Sequence, residues 1–339
     1  MRIARIDEAD AQRWDEYVAP RTGTVTDLYA WRRVVERAYG IRAHFLAAFD
    51  ADRVVGTLGL FEIRHPIFGH YLSTAVFGND GGFHYDIPAA RDALVAEARR
   101  LTKDLGVDYL VIRSRASLDG FQDDTQFSSA VINLEGGDDA VWNRLPSKTR
   151  NQVRRGQKEG FSLRIGADQA DAFYDVFHHH MRDLGSPAHG RDFYGAVIEQ
   201  LGGRAEFMVV RDGERLVAGA LLFRHNGTAT NYHTVALQQY NRRCANYLLY
   251  WAMIESSSSR GDRWFDMGRS RVASSQLDFK QNWGPEIVPL HYNYFLGTAP
   301  HIPNLSPANP AFRLQIAVWQ RLPLFVTKQL GPRLISGLA

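Results

Sequence analysis

Apolar residues occur in short runs broken by polar turns, which predicts strands, and in longer stretches spaced three to four apart, which predicts helices. Residues 44–61 read HFLAAFDADRVVGTLGLF, an apolar run, a tight polar turn and a second apolar run. Residues 206–223 read EFMVVRDGERLVAGALLF and have the same form. At a constant offset of 162 positions, Phe45, Asp50, Arg53, Val55, Leu60 and Phe61 meet Phe207, Asp212, Arg215, Val217, Leu222 and Phe223. The surroundings match too. Helical patterns at 26–38 and 191–201 precede the two hairpins, and strands at 71–77 and 228–235 follow them. Longer helices at 89–105 and 241–259 come next, with Gly106 and Gly261 as stop residues. Short apolar strands at 109–112 and 264–267 complete each set. The order helix, antiparallel strands, helix, strand therefore occurs twice, and the chain reads as an α/β (α+β) protein of two like domains.

The expected boundary is Gly136-Gly137-Asp138-Asp139, which divides the chain into 1–137, 138–299 and a tail at 300–339. Just past it, 144–164 carries Arg144, Lys148, Arg150, Arg154, Arg155, Lys158 and Arg164 against one acid, Glu159. In the tail, Pro300, Pro303, Pro307 and Pro310 punctuate a loop, and 312–322 reads as an amphipathic helix stopped by Pro323. From Ile287 onward there is no Asp or Glu, but there are Arg313, Arg321, Lys328 and Arg333.

Composition narrows the class. The 339 residues are 45% apolar and 23% charged, the balance of a globular protein with room for two cores. A net charge of +3 does not by itself imply nucleic-acid binding. The one cysteine, Cys244, excludes an intrachain disulfide and reads as a packed small side chain. Neither a signal-peptide core nor a run of ~18 apolar residues is present, so a cytoplasmic location is expected, with peripheral contact at the inner membrane face through 312–339 as an extension.

Four stretches carry a family resemblance. They are LPSKTRNQVRR at 145–155, the helix 241–251, Phe265-Asp266-Met267-Gly268-Arg269-Ser270, and Phe279-Lys280-Gln281-Asn282-Trp283-Gly284. The second half resembles the FemAB-like branch of the Gcn5-related acetyltransferase (GNAT) superfamily. The tail LPLFVTKQLGP at 322–332 is similar to that of FemAB-like proteins associated with exosortase and exopolysaccharide gene clusters. The resemblance implies two tandem GNAT-like domains, each a mixed, largely antiparallel sheet flanked by helices, with a helical C-terminal tail. It further implies acyl or aminoacyl transfer to an amine of a cell-envelope, peptidoglycan or exopolysaccharide precursor. Aminoacyl-tRNA or acyl-CoA would be the donor, with no permanently bound cofactor and no metal. An acyl-CoA N-acetyltransferase of a small molecule and a non-catalytic scaffold subunit are the alternatives.

Lys280 matches the lysine that the resemblance links to oxyanion stabilisation, and a fixed ammonium in a dry cleft suits that task. Its other reading is a lysine whose stem packs on Trp283. Asp266 and Arg269 flank a turn after a central strand, as a general base and its neighbour or as a structural pair. Asn241, Arg242, Arg243 and Asn246 open a helix whose start would hold a donor phosphate. The Arg/Gln-x-x-Gly-x-Gly/Ala loop of CoA-dependent relatives is absent from this stretch. Lys148 and Arg155, seven apart, share a helical face and offer a second phosphate surface or a solvated one. Asn231 and His233 lie on the strand beside the helix start as substrate contacts or packing groups. Phe279 and Trp283 are cleft walls or core. The run His178-His179-His180 cannot converge on one ion, because successive helical side chains point ~100° apart.

Overall fold

The computed structural model describes residues 1–304 and 309–338; Pro307 of the predicted loop lies outside the described residues. The strands, in chain order, are β1 (Arg2–Ile6), β2 (Arg42–Asp50), β3 (Arg53–His65), β4 (Gly69–Ser73), β5 (Phe83–Tyr85), β6 (Tyr109–Ser114), β7 (Gln122–Asn133), β8 (Ser162–Ile165), β9 (Ala205–Asp212), β10 (Arg215–His225), β11 (Thr228–Ala236), β12 (Trp264–Arg271) and β13 (Glu286–Leu296). The longer helices are α1 (Ala11–Val18), α2 (Tyr29–Tyr39), α3 (Pro88–Leu105), α4 (Gly137–Arg144), α5 (Ser147–Gln157), α6 (Ala170–Leu184), α7 (Arg191–Leu201), α8 (Ala245–Ser259), α9 (Ser275–Gln281), α10 (Arg313–Trp319) and α11 (Leu324–Ile335).

The chain forms two compact units. The first comprises residues 1–126, 289–313 and 332–339. Its strands run in the order β1-β2-β3-β4-β6-β13, with β5 paired to β3. On one face, Leu46, Leu58, Leu60 and Leu72 pack against Ala90, Leu94 and Leu101 of α3. Gly56 lets α3 come close, since a Cβ there would lie 2.9 Å from the Leu94 side chain. On the other face Phe45 meets Trp14 of α1 with ring centroids 4.5 Å apart, and Phe61 at 5.6 Å.

The second unit comprises 127–288 and 314–331, with strand order β7-β12-β11-β10-β9-β8. Leu249, Met253 and Ile254 of α8 join Met208, Val217, Leu222 and Phe265 in its main core. On the opposite face Phe207 packs on Phe173 of α6 and Tyr194 of α7 at 5.6 and 6.2 Å. The repeat mates Phe45 and Phe207 thus do the same work. Each fills an aromatic layer under the helices that precede its hairpin. The hairpins themselves form as expected, Asp50 pairing with Arg53 and Asp212 with Arg215.

The expected domain limits need correction. Gly136 and Gly137 do not separate units; they turn the chain from β7 into α4 with φ of 83° and 81°. From Phe127 onward β7 already belongs to the second unit, pairing Phe127 with Arg271 and Ile132 with Phe265 of β12. Residues 289–296, expected in the second domain, pair with β6 of the first, His291 with Ser114 through Leu296 with Tyr109. The tail is not a separate unit, since 314–331 belongs to the second unit; its first helix, α10, ends at Trp319 rather than at Pro323, and a further helix, α11, begins at Leu324.

Candidate functional site

The second unit's central strands part company. Parallel β11 and β12 pair only from Thr228 with Trp264 to Thr230 with Asp266. Beyond that point each strand carries an irregularity. In β11, Leu221 of β10 pairs with His233 and Leu222 with Asn231, so Tyr232 is an extra bulged residue. In β12 the pairing to β7 jumps between Asp266 and Arg269, and Gly268 takes the left-handed φ of 80° that the jump requires.

Side chains converge on the β12 jump. Asp266, buried, accepts hydrogen bonds at Oδ1 from the Ser129 hydroxyl of β7 and from Gly268 N at 2.8 Å. Lys280 reaches the same place from α9. Ser274 starts that short helix by accepting from Leu277 N at 3.2 Å. Lys280 Nζ donates to Gly268 O at 2.6 Å and to Arg269 O at 3.2 Å. The lysine is only 2% exposed. Burial lowers its pKa to about 8, opposed by the Asp266 carboxylate and reinforced by the Arg269 guanidinium. At neutral pH it remains mainly an ammonium. Arg269 is half-buried, its guanidinium 4.8 Å from the centre of the Phe127 ring.

Asn231 closes the upper part of this cluster. Its Nδ2 donates to Tyr250 Oη at 3.3 Å and to Met267 O at 3.4 Å, and its Oδ1 accepts from the Thr234 hydroxyl. Tyr250 of α8 is buried, which raises its pKa to about 12. Phe279 and Trp283 form the floor with Tyr247 and Tyr250, at centroid distances from 5.1 to 5.8 Å. Lys280, Asp266, Arg269, Asn231, Phe279 and Trp283 therefore belong to one connected cluster.

The other expected residues lie elsewhere. The bulge at Tyr232 breaks the strict alternation of β11, so His233 leaves the face that Asn231 uses. Its ring stacks on Phe177 of α6 at 4.4 Å, and burial lowers its pKa to about 3. Asn241, Arg242 and Arg243 do not open the long helix. They occupy a 3-10 turn, Cys244 follows with φ of 57°, and α8 starts at Ala245. Asn241 and Arg242 are exposed, and Asn246 is half-buried in the first turn of α8. Arg243 is committed to Glu159, with Nε 2.6 Å from Oε2, and to the Asp212 carboxylate. Lys148 and Arg155 lie exposed on α5, where Arg155 Nε is 4.0 Å from Glu159. Among the described residues no group of three His, Cys, Asp or Glu could hold a metal ion.

Ser129, Thr234 and Tyr250 were not anticipated in this cluster. Ser129 lies on β7, whose mixed sequence QDDTQFSSAVIN gives no clean alternation. Gly268 had a signal, a glycine inside a strand pattern, which marks a bulge.

Residues 147–281 match the acetyltransferase (GNAT) domain family. No curated protein matches the chain in sequence. Among solved structures, FemX is similar over 86% of this chain and 97% of its own, at 13% identity and a TM-score of 0.67. A tandem GNAT protein from the clavulanic acid biosynthesis pathway, solved without AcCoA, is similar over 89% of this chain and 99% of its own, at 14% identity and 0.59. The C-terminal domain of an Agrobacterium fabrum protein, provisionally identified as a lysylphosphatidylglycerol synthetase, is similar over 84% and 91%, at 13% and 0.56. At these identities the likeness is one of fold.

Proposed function

Taking the chain as a FemAB-like tandem GNAT protein with its acetyltransferase domain at residues 147–281, we propose that it transfers an acyl or aminoacyl group to an amine of a cell-envelope precursor. The observation that carries this reading is Lys280, a buried ammonium anchored beside Asp266 where β11 and β12 part. Two of its protons are held by the Gly268 and Arg269 carbonyls, and the third is the donor for a substrate oxygen. When an amine attacks an ester or thioester, a C–N bond forms and the carbonyl oxygen becomes an oxyanion. Collapse breaks the C–O or C–S bond, and the amine's proton departs with the leaving group. A prepositioned donor in a dry site stabilises that oxyanion by ~3 kcal/mol. Asp266 acts as a counter-charge that keeps Lys280 protonated, its Oδ1 held by the Ser129 hydroxyl and Gly268 N.

The donor is a phosphate-bearing aminoacyl-tRNA or acyl-CoA. Asn241 and Arg242, exposed before the start of α8, are its proposed phosphate contacts, joined by Lys148 and Arg155 on α5. The names of FemX and of the lysylphosphatidylglycerol synthetase relative favour an aminoacyl donor and an envelope acceptor. Thermal stabilisation by acetyl-CoA, by charged tRNA and by a UDP-linked peptidoglycan precursor, measured in parallel, tests this. A rise with charged tRNA and with the precursor is expected. A rise with acetyl-CoA alone assigns a small-molecule acetyltransferase, and no rise with any of them assigns a scaffold.

A further inference from the structure

The tail of the second unit is fastened by one face of each of its helices. On α10, Ile316 packs where Gly185 leaves no Cβ, and Trp319 Nε1 donates to Ser186 O at 3.0 Å. Gln320 Nε2 donates to Asp183 O at 3.0 Å. On α11, Thr327 and Gly331, four apart, face inward, and a Cβ on Gly331 would lie 2.9 Å from Ala188 O. Lys328 Nζ is 2.8 Å from the Asp175 carboxylate.

The outward faces are apolar. Leu314 and Val318 are four apart and two positions either side of inward Ile316, which puts them on the opposite side of α10. They are 74% and 49% exposed. Phe325, two positions before Thr327, is 67% exposed. Leu184, beside the Gly185 that receives α10, is 56% exposed. The charges of the tail itself are of one sign. Arg313 and Arg321 are exposed, and 287–339 contains no acid at all. The neighbouring Asp183 is already paired with Arg182 and His179.

We propose that the outward faces of α10 and α11 bind an anionic lipid surface, with Leu314, Val318 and Phe325 inserted among acyl chains and Arg313 and Arg321 among headgroups. Short amphipathic helices with large apolar side chains and basic flanks lie in the membrane interface in this way. Four large apolar residues make too small a patch for a stable protein interface. A symmetric self-contact would bring the arginines of two copies together. Among the described residues no helix is long and apolar enough to cross a membrane, so the contact is peripheral. It does not depend on the transfer chemistry.

Sedimentation with phosphatidylcholine vesicles, with and without phosphatidylglycerol, tests it on the full chain. The wild type is expected to pellet with anionic vesicles and to be released by salt. L314S/V318S/F325S is expected to lower the partition coefficient at least ~10-fold, and R313Q/R321Q about 25-fold, at roughly fivefold per arginine. Because all five positions are exposed, melting temperatures should not change. A wild type that stays in the supernatant at low salt overturns the proposal. So does a triple variant that binds as the wild type does, or a wild-type dimer that the triple variant disrupts without any vesicle binding.

Discussion

Lys280 Nζ donates to Gly268 O at 2.6 Å, so a side chain from one short helix is tied to the irregularity of a neighbouring strand. The bond gives the lysine a structural role. Removing it strands two inward carbonyls and a buried Asp266. Lys280→Ala should therefore cost about 1–3 kcal/mol of stability, read as a lower urea midpoint, in addition to any loss of activity.

The charge on Lys280 gives a pH signature. Its pKa is about 8, so the ammonium is present at neutral pH and is lost as pH rises through that value. Catalytic efficiency should fall on the alkaline side of about pH 8. Asp266→Asn removes the carboxylate that supports the ammonium and should move this limb to lower pH. A pH–kcat/KM profile of both proteins checks the direction.

The histidines of the second unit predict acid sensitivity. Burial lowers His178 to about 4 and His233 to about 3, and His189 also lies well below its ordinary value. Below about pH 6.5 the unfolded chain binds protons that the folded chain refuses, so stability falls as pH drops toward 4. For His233 alone this amounts to roughly 2 kcal/mol at pH 5. His233→Phe keeps the stack on Phe177 without titrating. It should raise the urea midpoint at pH 5 and leave it nearly unchanged at pH 8.

The two arginines before α8 should separate. Arg243 joins Glu159 and Asp212, whereas Arg242 is exposed. Arg243→Ala should lower the melting temperature. Arg242→Ala should leave it unchanged and raise KM for the phosphate-bearing donor. Equal melting temperatures with equal KM values would remove Arg242 from the donor site.

Helix α5 is held against α8 through Gly156, where a Cβ would lie 2.8 Å from Cys244 O and 3.2 Å from Leu248 Cβ. Gly156→Ala should destabilise by about 1–3 kcal/mol, measured by urea unfolding.

The fold was largely legible because the repeat is a pattern of core-facing residues. Phe45 and Phe207 occupy equivalent aromatic layers, and alternation around them set the hairpins. What escaped was set by long-range pairing. Strand β7 has no apolar alternation of its own, and β13 joins β6 across a wide sequence separation. In the candidate site, Phe279-Lys280 and Asp266-Met267-Gly268-Arg269 pointed to the right neighbourhood. The fate of His233 was hidden because one inserted residue, Tyr232, turns it to the other face. Arg243 was misread as a helix-start cation because its acidic partners, Glu159 and Asp212, are remote in sequence.

Lys280 is proposed to serve acyl transfer in the second unit. The most direct test is the rate at which labelled aminoacyl groups move from charged tRNA to an amine-bearing envelope precursor, compared for wild type, Lys280→Arg and Lys280→Ala at temperatures where all three are folded. Transfer by the wild type, a partial rate for Lys280→Arg and a loss of at least ~100-fold for Lys280→Ala are expected. A folded Lys280→Ala protein that transfers at the wild-type rate would contradict that role.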